Sequence, residues 1–151
     1  MCARISRKKM TFKELALSEE ILRGVEEKGY ETPSDIQQQA IPILLENHDL
    51  LAQSQTGTGK TAAFGLPIMS VLKGGSRQPQ ALVLAPTREL CMQVANEMRS
   101  FGKYKKGLRV VSVYGGDPIS NQIRDLKGGV DVIVATPGRL MDHLNRRTIK
   151  L

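Results

Sequence analysis

Apolar and polar positions follow two rhythms along the chain. From Glu19 to Lys28, Ile21, Leu22 and Val25 share one face of a 3.6-residue period. That spacing predicts a helix, which Gly29 is placed to stop. Phe12, Leu15 and Leu17 lead into it. After Pro33, Ser34 is a good N-cap and Gln37 stands where a capping-box partner belongs. The helix so opened runs through Ala40, Ile41, Ile43, Leu44 and Leu45, with Pro42 expected early enough to be tolerated. Asn47-His48-Asp49 reads as a turn, Leu50-Leu51-Ala52 as a short strand, and Thr61 to Lys73 as a helix. Three continuous apolar runs follow: Ala81 to Ala85, Arg109 to Tyr114 and Asp131 to Ala135. A helical pattern trails each one, to about Phe101, around Asn121 to Leu126, and to about Asn145. Apolar runs alternating with helices predict an α/β protein, a parallel sheet with helices on both faces. In such sheets ligands gather beyond the carboxyl ends of the strands.

The clearest chemistry lies between the Leu50 run and the helix after it: Ser54-Gln55-Thr56-Gly57-Thr58-Gly59-Lys60-Thr61. A strand, a Gly-rich turn and a helix form a phosphate-binding loop. The glycines let successive N–H groups face one concavity, and the helix start adds its positive end. Lys60 adds a full charge, and Thr61 can offer Mg²⁺ a hydroxyl. The usual pattern begins with Gly where this chain has Ser54. The plain alternative is a Gly-rich turn with a Lys at a helix start.

Each strand-end element also has two readings. Pro86-Thr87-Arg88 offers a phosphate contact, or Arg88 pairs with Glu89 or Glu97. Gly115-Gly116 is a turn, or a place where a backbone approaches closely for want of Cβ atoms. Thr136-Pro137-Gly138-Arg139 is a good helix start by itself, with Thr as N-cap and Pro at N1. The same feature binds an anion, and Arg139 adds a charge-assisted contact.

The length of 151 residues suits one domain, and the net charge of +7 is compatible with a polyanionic partner. Residues 1–10 are basic and aperiodic and read as a disordered arm ahead of a domain over 11–151. Cys2 and Cys91 make neither a disulfide framework nor a metal cluster. No apolar run reaches membrane-spanning length and no secretory signal is present, so a reducing cytoplasm is expected. His143, Lys103-Tyr104-Lys105-Lys106 and Arg146-Arg147 are expected on solvated faces.

Taken in order, these stretches resemble the first RecA-like domain of a DEAD-box ATP-dependent RNA helicase. Gly29 to Gln37 resembles the family's adenine-reading Q motif, with the isolated aromatic expected upstream at Phe12. Ala52 to Thr61 resembles its phosphate loop, where Ser54 takes a place commonly held by Ala. Pro86 to Leu90, Gly115-Gly116 and Thr136 to Arg139 resemble its RNA-contacting motifs. The resemblance implies a RecA-like P-loop NTPase fold, here incomplete. ATP would meet Phe12, Thr32, Gln37 and Ser54 through Thr61, with Mg²⁺ held indirectly at Thr61 and Lys60 and Thr61 serving catalysis. RNA, single-stranded or duplex, would meet Pro86, Thr87, Arg88, Gly115, Gly116, Thr136, Pro137, Gly138 and Arg139. The Gln37 amide would cap its helix and also read adenine, and the two roles compete for the same group.

The family's Asp-Glu-Ala-Asp motif and second RecA-like domain would lie beyond Leu151. The resemblance therefore implies that this polypeptide alone binds nucleotide without hydrolysing it, and that it exposes unpaired strand edges. A non-catalytic nucleotide- or RNA-binding module is the alternative. Another P-loop protein, such as a GTPase or small kinase, ranks last, because no Asn-Lys-x-Asp motif occurs.

Overall fold

A computed structural model describes residues 10–151, and the basic arm lies outside the described residues apart from Met10. A one-turn 3₁₀ helix, Phe12–Leu15, leads into α1, Glu19–Glu27. Gly29 ends that helix region in a left-handed conformation with φ 75°. Then come α2, Asp35–Leu45, and α3, Lys60–Val71. The rest alternates: β1 Ala81–Leu84, α4 Arg88–Phe101, β2 Val110–Val113, α5 Ile119–Lys127, β3 Val132–Ala135 and α6 Pro137–Asn145.

The sheet is parallel throughout, in the order β1-β3-β2. Val132 pairs with Ala81 on one side and with Val110 on the other. Side chains alternate between the faces, as a pleat requires. Val110, Val132 and Val134 pack on a core shared with the 3₁₀ turn, α1, α3 and α4. Val111, Val113, Ile133 and Ala135 pack on a second core with Leu126 of α5 and Leu140 of α6. The predicted α/β sheet with helices on both faces is what forms.

Asp131 anchors the entrance to β3. It is fully buried, and its carboxylate accepts from the backbone N–H of Ser76 at 3.0 Å and of Arg109 at 2.8 Å. The Gln80 amide adds a bond at 2.7 Å and the Gly75 N–H a longer one at 3.4 Å. Neutral donors alone satisfy this buried carboxylate among the described residues, and they pin the loop before β1 to the starts of β2 and β3.

Three expectations are corrected. Leu50-Leu51-Ala52 is not a strand, and Leu51 is 100% exposed. A strand exists through its ladder, and no described residues pair with this run. Pro42 sits in the second half of α2, not early in it, and the helix continues past it, with Glu46 N–H donating to the Pro42 carbonyl at 3.1 Å. Lys105 is no solvated residue either. Its ammonium donates to the Met69 and Ser70 carbonyls at 2.6 and 2.8 Å, near the end of α3. There a cation meets the negative end of a helix.

Candidate functional site

The predicted phosphate loop sits at the head of α3. Gly57 and Gly59 hold φ values of 77° and 80°, a region that side chains disfavour. Gly59 is the N-cap of α3, and a Cβ there would lie 2.2 Å from the Gln37 Nε2. Lys60 and Thr61 open the helix, where unpaired N–H groups and the helix dipole favour an anion. The Lys60 ammonium donates to the Ser54 carbonyl at 2.7 Å, across the loop. Thr58 Oγ1 donates to the Gln55 carbonyl at 2.8 Å and meets the Ser54 hydroxyl. Gln55 and Thr56 are exposed at the turn.

Two bonds tie this loop to α2. Ser34 Oγ donates to the Thr58 carbonyl at 2.7 Å, and Gln37 Nε2 donates to the Gly59 carbonyl at 3.1 Å. Gln37 Oε1 accepts from Ser34 N–H at 2.9 Å, the capping contact expected from sequence. An amide oxygen has two acceptor sites and its nitrogen two donors. Each atom of Gln37 therefore keeps one further valence, and capping competes less with base contact than the sequence suggests.

One cleft of about 370 Å³ joins these parts, lined among others by Phe12, Thr32, Gln37, Gly57, Thr58 and Gly59. Thr32 is exposed at its edge. Phe12 is buried, 4% exposed, and its ring stacks on Tyr30 with centroids 6.5 Å apart. It forms the wall of the cleft rather than a free platform.

The other predicted elements stand where parallel strands end. Thr87 caps α4, its hydroxyl accepting from Leu90 N–H at 3.2 Å, beside exposed Pro86. Arg88 pairs with neither Glu89 nor Glu97. Its guanidinium lies 5.2 Å over the Tyr114 ring and donates to the Gly116 carbonyl at 3.4 Å. Thus the loops after β1 and β2 touch. Thr136 precedes α6, whose first residue is Pro137. A Cβ at Gly115 or at Gly138 would meet nothing within 4 Å, so the space beside both is open; the close approach expected at Gly116 does not hold, because a Cβ there would fall 2.6 Å from Arg88 Nη1. Arg139 is mostly covered, with 14% of its side chain exposed. Its Nη1 donates to the Asp117 carbonyl at 2.8 Å and to Gln122 Oε1 at 3.1 Å.

His143 overturns its expected place on a solvated face: it has no exposed surface. Its ring nitrogens meet Thr148 Oγ1 at 2.8 Å and Gln122 Oε1 at 3.1 Å. Gln122 is likewise buried and went unremarked in the sequence. The signal was there. Gln122 and Leu126 are four apart on one helix face, and so are Arg139 and His143. Burial pushes the His143 pKa down, with the Arg139 charge acting the same way. The folded protein thus holds His143 neutral to lower pH than the unfolded chain, whose His titrates near 6.5. Its contribution to stability is whole above that value and declines as pH falls below it. His143→Gln should reduce the loss of melting temperature between about pH 7 and 5 relative to the parent. Parallel melting curves for the two would contradict this.

The chain matches the DEAD/DEAH box helicase family model over residues 34–151. It is 50% identical over 143 residues to the ATP-dependent RNA helicase DeaD of Haemophilus influenzae, covering 95% of this chain and 23% of that protein. It is 51% identical over 140 residues to the ATP-dependent RNA helicase CshA of Listeria monocytogenes, covering 93% of this chain and 27% of that one. The chain thus spans about a quarter of the length of these curated relatives. Among solved structures, a DEAD box protein from Methanococcus jannaschii superposes with a TM-score of 0.87 at 43% identity, over 94% of this chain and 39% of that one. S. cerevisiae Dbp5 bound to RNA and ADP BeF3 superposes with a TM-score of 0.84 at 37% identity, over 95% of this chain and 36% of that one.

Proposed function

The chain belongs to the DEAD/DEAH box helicase family, and from that premise we propose that it forms the ATP- and RNA-contacting part of an ATP-dependent RNA helicase. The observation that carries this reading is the single cleft in which the adenine-side residues, Phe12, Thr32 and Gln37, meet the phosphate-loop residues Gly57 to Gly59. The two curated relatives named above are ATP-dependent RNA helicases, and one solved relative holds RNA and a nucleotide.

In this mechanism the base enters beside Gln37 and the phosphates reach the head of α3. Lys60 leaves the Ser54 carbonyl for phosphate oxygens. Thr61 fits Mg²⁺: it stands in the first turn of α3, and its hydroxyl has no hydrogen-bond partner among the described residues. The ion characteristically takes one or two carboxylates alongside substrate phosphates and waters, and Thr61 would add its hydroxyl to that set. When bound, it neutralises charge on the phosphate oxygens. Arg88, Arg139 and the open backbone at Gly115 and Gly138 contact the RNA phosphates. A second RecA-like domain closes over the same strand, bends it and separates short duplexes.

No helix among the described residues is long and apolar enough to cross a membrane, and the cytoplasm remains the proposed compartment. The test uses both ligands. ATP, but not GTP, should raise the melting temperature, and Gln37→Ala should erase the difference. Equal shifts with both nucleotides would refute the adenine contact. Four phosphate contacts on single-stranded RNA should lose about 50-fold in affinity between 50 and 200 mM salt. Salt-independent binding would refute the RNA contact.

A further inference from the structure

Two buried polar side chains, Gln122 and His143, are left over once the phosphate loop and the strand-end loops have been assigned roles. Gln122 is 3% exposed, and a buried amide is tolerated only when its donors and acceptors meet the right partners. Its Nε2 donates to the Tyr114 carbonyl at 2.9 Å, one residue ahead of Gly115-Gly116. Its Oε1 accepts from Arg139 Nη1 at 3.1 Å. The guanidinium can only donate, so the atom facing it is the amide oxygen. That fixes the next link. His143 Nε2, 3.1 Å from the same oxygen, must carry a proton. Nδ1 of the neutral ring is then the acceptor, and it faces the Thr148 hydroxyl at 2.8 Å. The other tautomer would set two acceptors against each other.

One amide thus joins the end of β2, α5 and α6. Arg139 is aimed by Gln122 on one side and by the Asp117 carbonyl on the other, 2.8 Å away, and its Nε lies 3.7 Å from the Asp142 carboxylate, which is itself largely exposed. Its side chain is only 14% exposed, so it cannot swing freely to find a phosphate. A contact group held this way works only as well as its supports hold it.

We propose that Gln122 is a positioning residue, locked by His143, that sets the Arg139 guanidinium and the Gly115-Gly116 backbone in register to meet phosphates of one RNA strand. The inference rests on the RNA reading above. Gln122 and His143 touch no RNA themselves. They act through Arg139 and the Tyr114 carbonyl.

The test is a double-mutant cycle read by fluorescence anisotropy with a labelled oligouridine at several salt concentrations. Gln122→Ala should weaken binding about tenfold and flatten the single-strand salt slope by about 0.7, the share of one phosphate contact. The Gln122→Ala/Arg139→Ala double variant should lose less than the sum of the two single losses, because residues acting as a unit are not additive. His143→Gln keeps a donor toward Gln122 and should bind as the parent does. His143→Leu, of comparable size, should behave as Gln122→Ala does. If Gln122→Ala fails to fold, the two His143 variants decide the matter. The ATP-induced melting shift should be the same in every folded variant.

Additive losses in the cycle, or equal binding by His143→Gln and His143→Leu, would overturn the positioning role while leaving the RNA reading intact. A parent protein that does not bind the oligonucleotide would overturn both.

Discussion

Lys60→Ala is expected to lower ATP affinity by about 100-fold and to leave the ligand-free melting temperature unchanged. The two halves of that result have one cause. Lys60 is exposed at the first position of α3, and its ammonium bonds only to the Ser54 carbonyl among the described residues. Removing it frees a carbonyl that water can reach, so the folded state loses little. On the proposed reading, ATP binding would bring phosphate oxygens to the ammonium. Charge-assisted hydrogen bonds of that kind are worth about 1.5–3 kcal/mol, and a loss of 2.7 kcal/mol is about 100-fold in affinity. Lys60→Arg should recover little of it, because a planar guanidinium does not replace a compact ammonium in a tight loop. Titration calorimetry with ATP reads the first half and a thermal melt the second. A loss under about fivefold would mean that phosphate does not sit at the head of α3. A large drop in melting temperature would mean that Lys60 holds the loop together.

The α/β architecture was legible because it rests on continuous apolar runs, and three of those runs became β1, β2 and β3 within a residue or two at each end. The helix starts were legible through their caps: Ser34 with Gln37, and Thr87 before α4. The run at Leu50 to Ala52 was misread for a physical reason. Apolar pattern reports what a segment would bury, whereas a strand also needs a neighbour to complete its ladder. The strand-end loops were found as motifs, but their mutual contacts were not. Nothing in Pro86-Thr87-Arg88 says that its arginine covers the Tyr114 ring rather than pairing with Glu89. His143 was misplaced because a lone histidine among charged residues looks solvated. Its ring meets Gln122 of α5 and Thr148, and the first of these is a relation between segments about twenty residues apart in sequence. Gln122 went unseen for the same reason.

Gly24→Ala is expected to destabilise the protein by about 3 kcal/mol and to weaken ATP binding as well. Gly24 lies inside α1 and is buried. An added Cβ would fall 2.0 Å from the Phe101 carbonyl oxygen and 2.8 Å from its carbon, at the last turn of α4. Both are backbone atoms, so no rotamer change can relieve the clash and the two helices must separate. Overpacking of this kind costs about 1–3 kcal/mol, and rigid backbone on both sides places this case at the upper end. The displacement does not stay local. Ile21 and Val25, both fully buried, leave the core with α1. The Lys28 ammonium sits 4.5 Å over the Phe101 ring, and the Tyr30 ring lies 5.7 Å from the same ring. Tyr30 in turn stacks on Phe12 at the wall of the cleft. Moving α1 therefore shifts the surface against which the base would lie. Urea denaturation gives the stability change, and an ATP titration at low temperature gives the binding change. The sign is decisive. In a solvent-facing helix the same substitution stabilises by about 0.8–1.0 kcal/mol. Any gain in stability from Gly24→Ala would mean that α1 and α4 do not approach each other at this glycine.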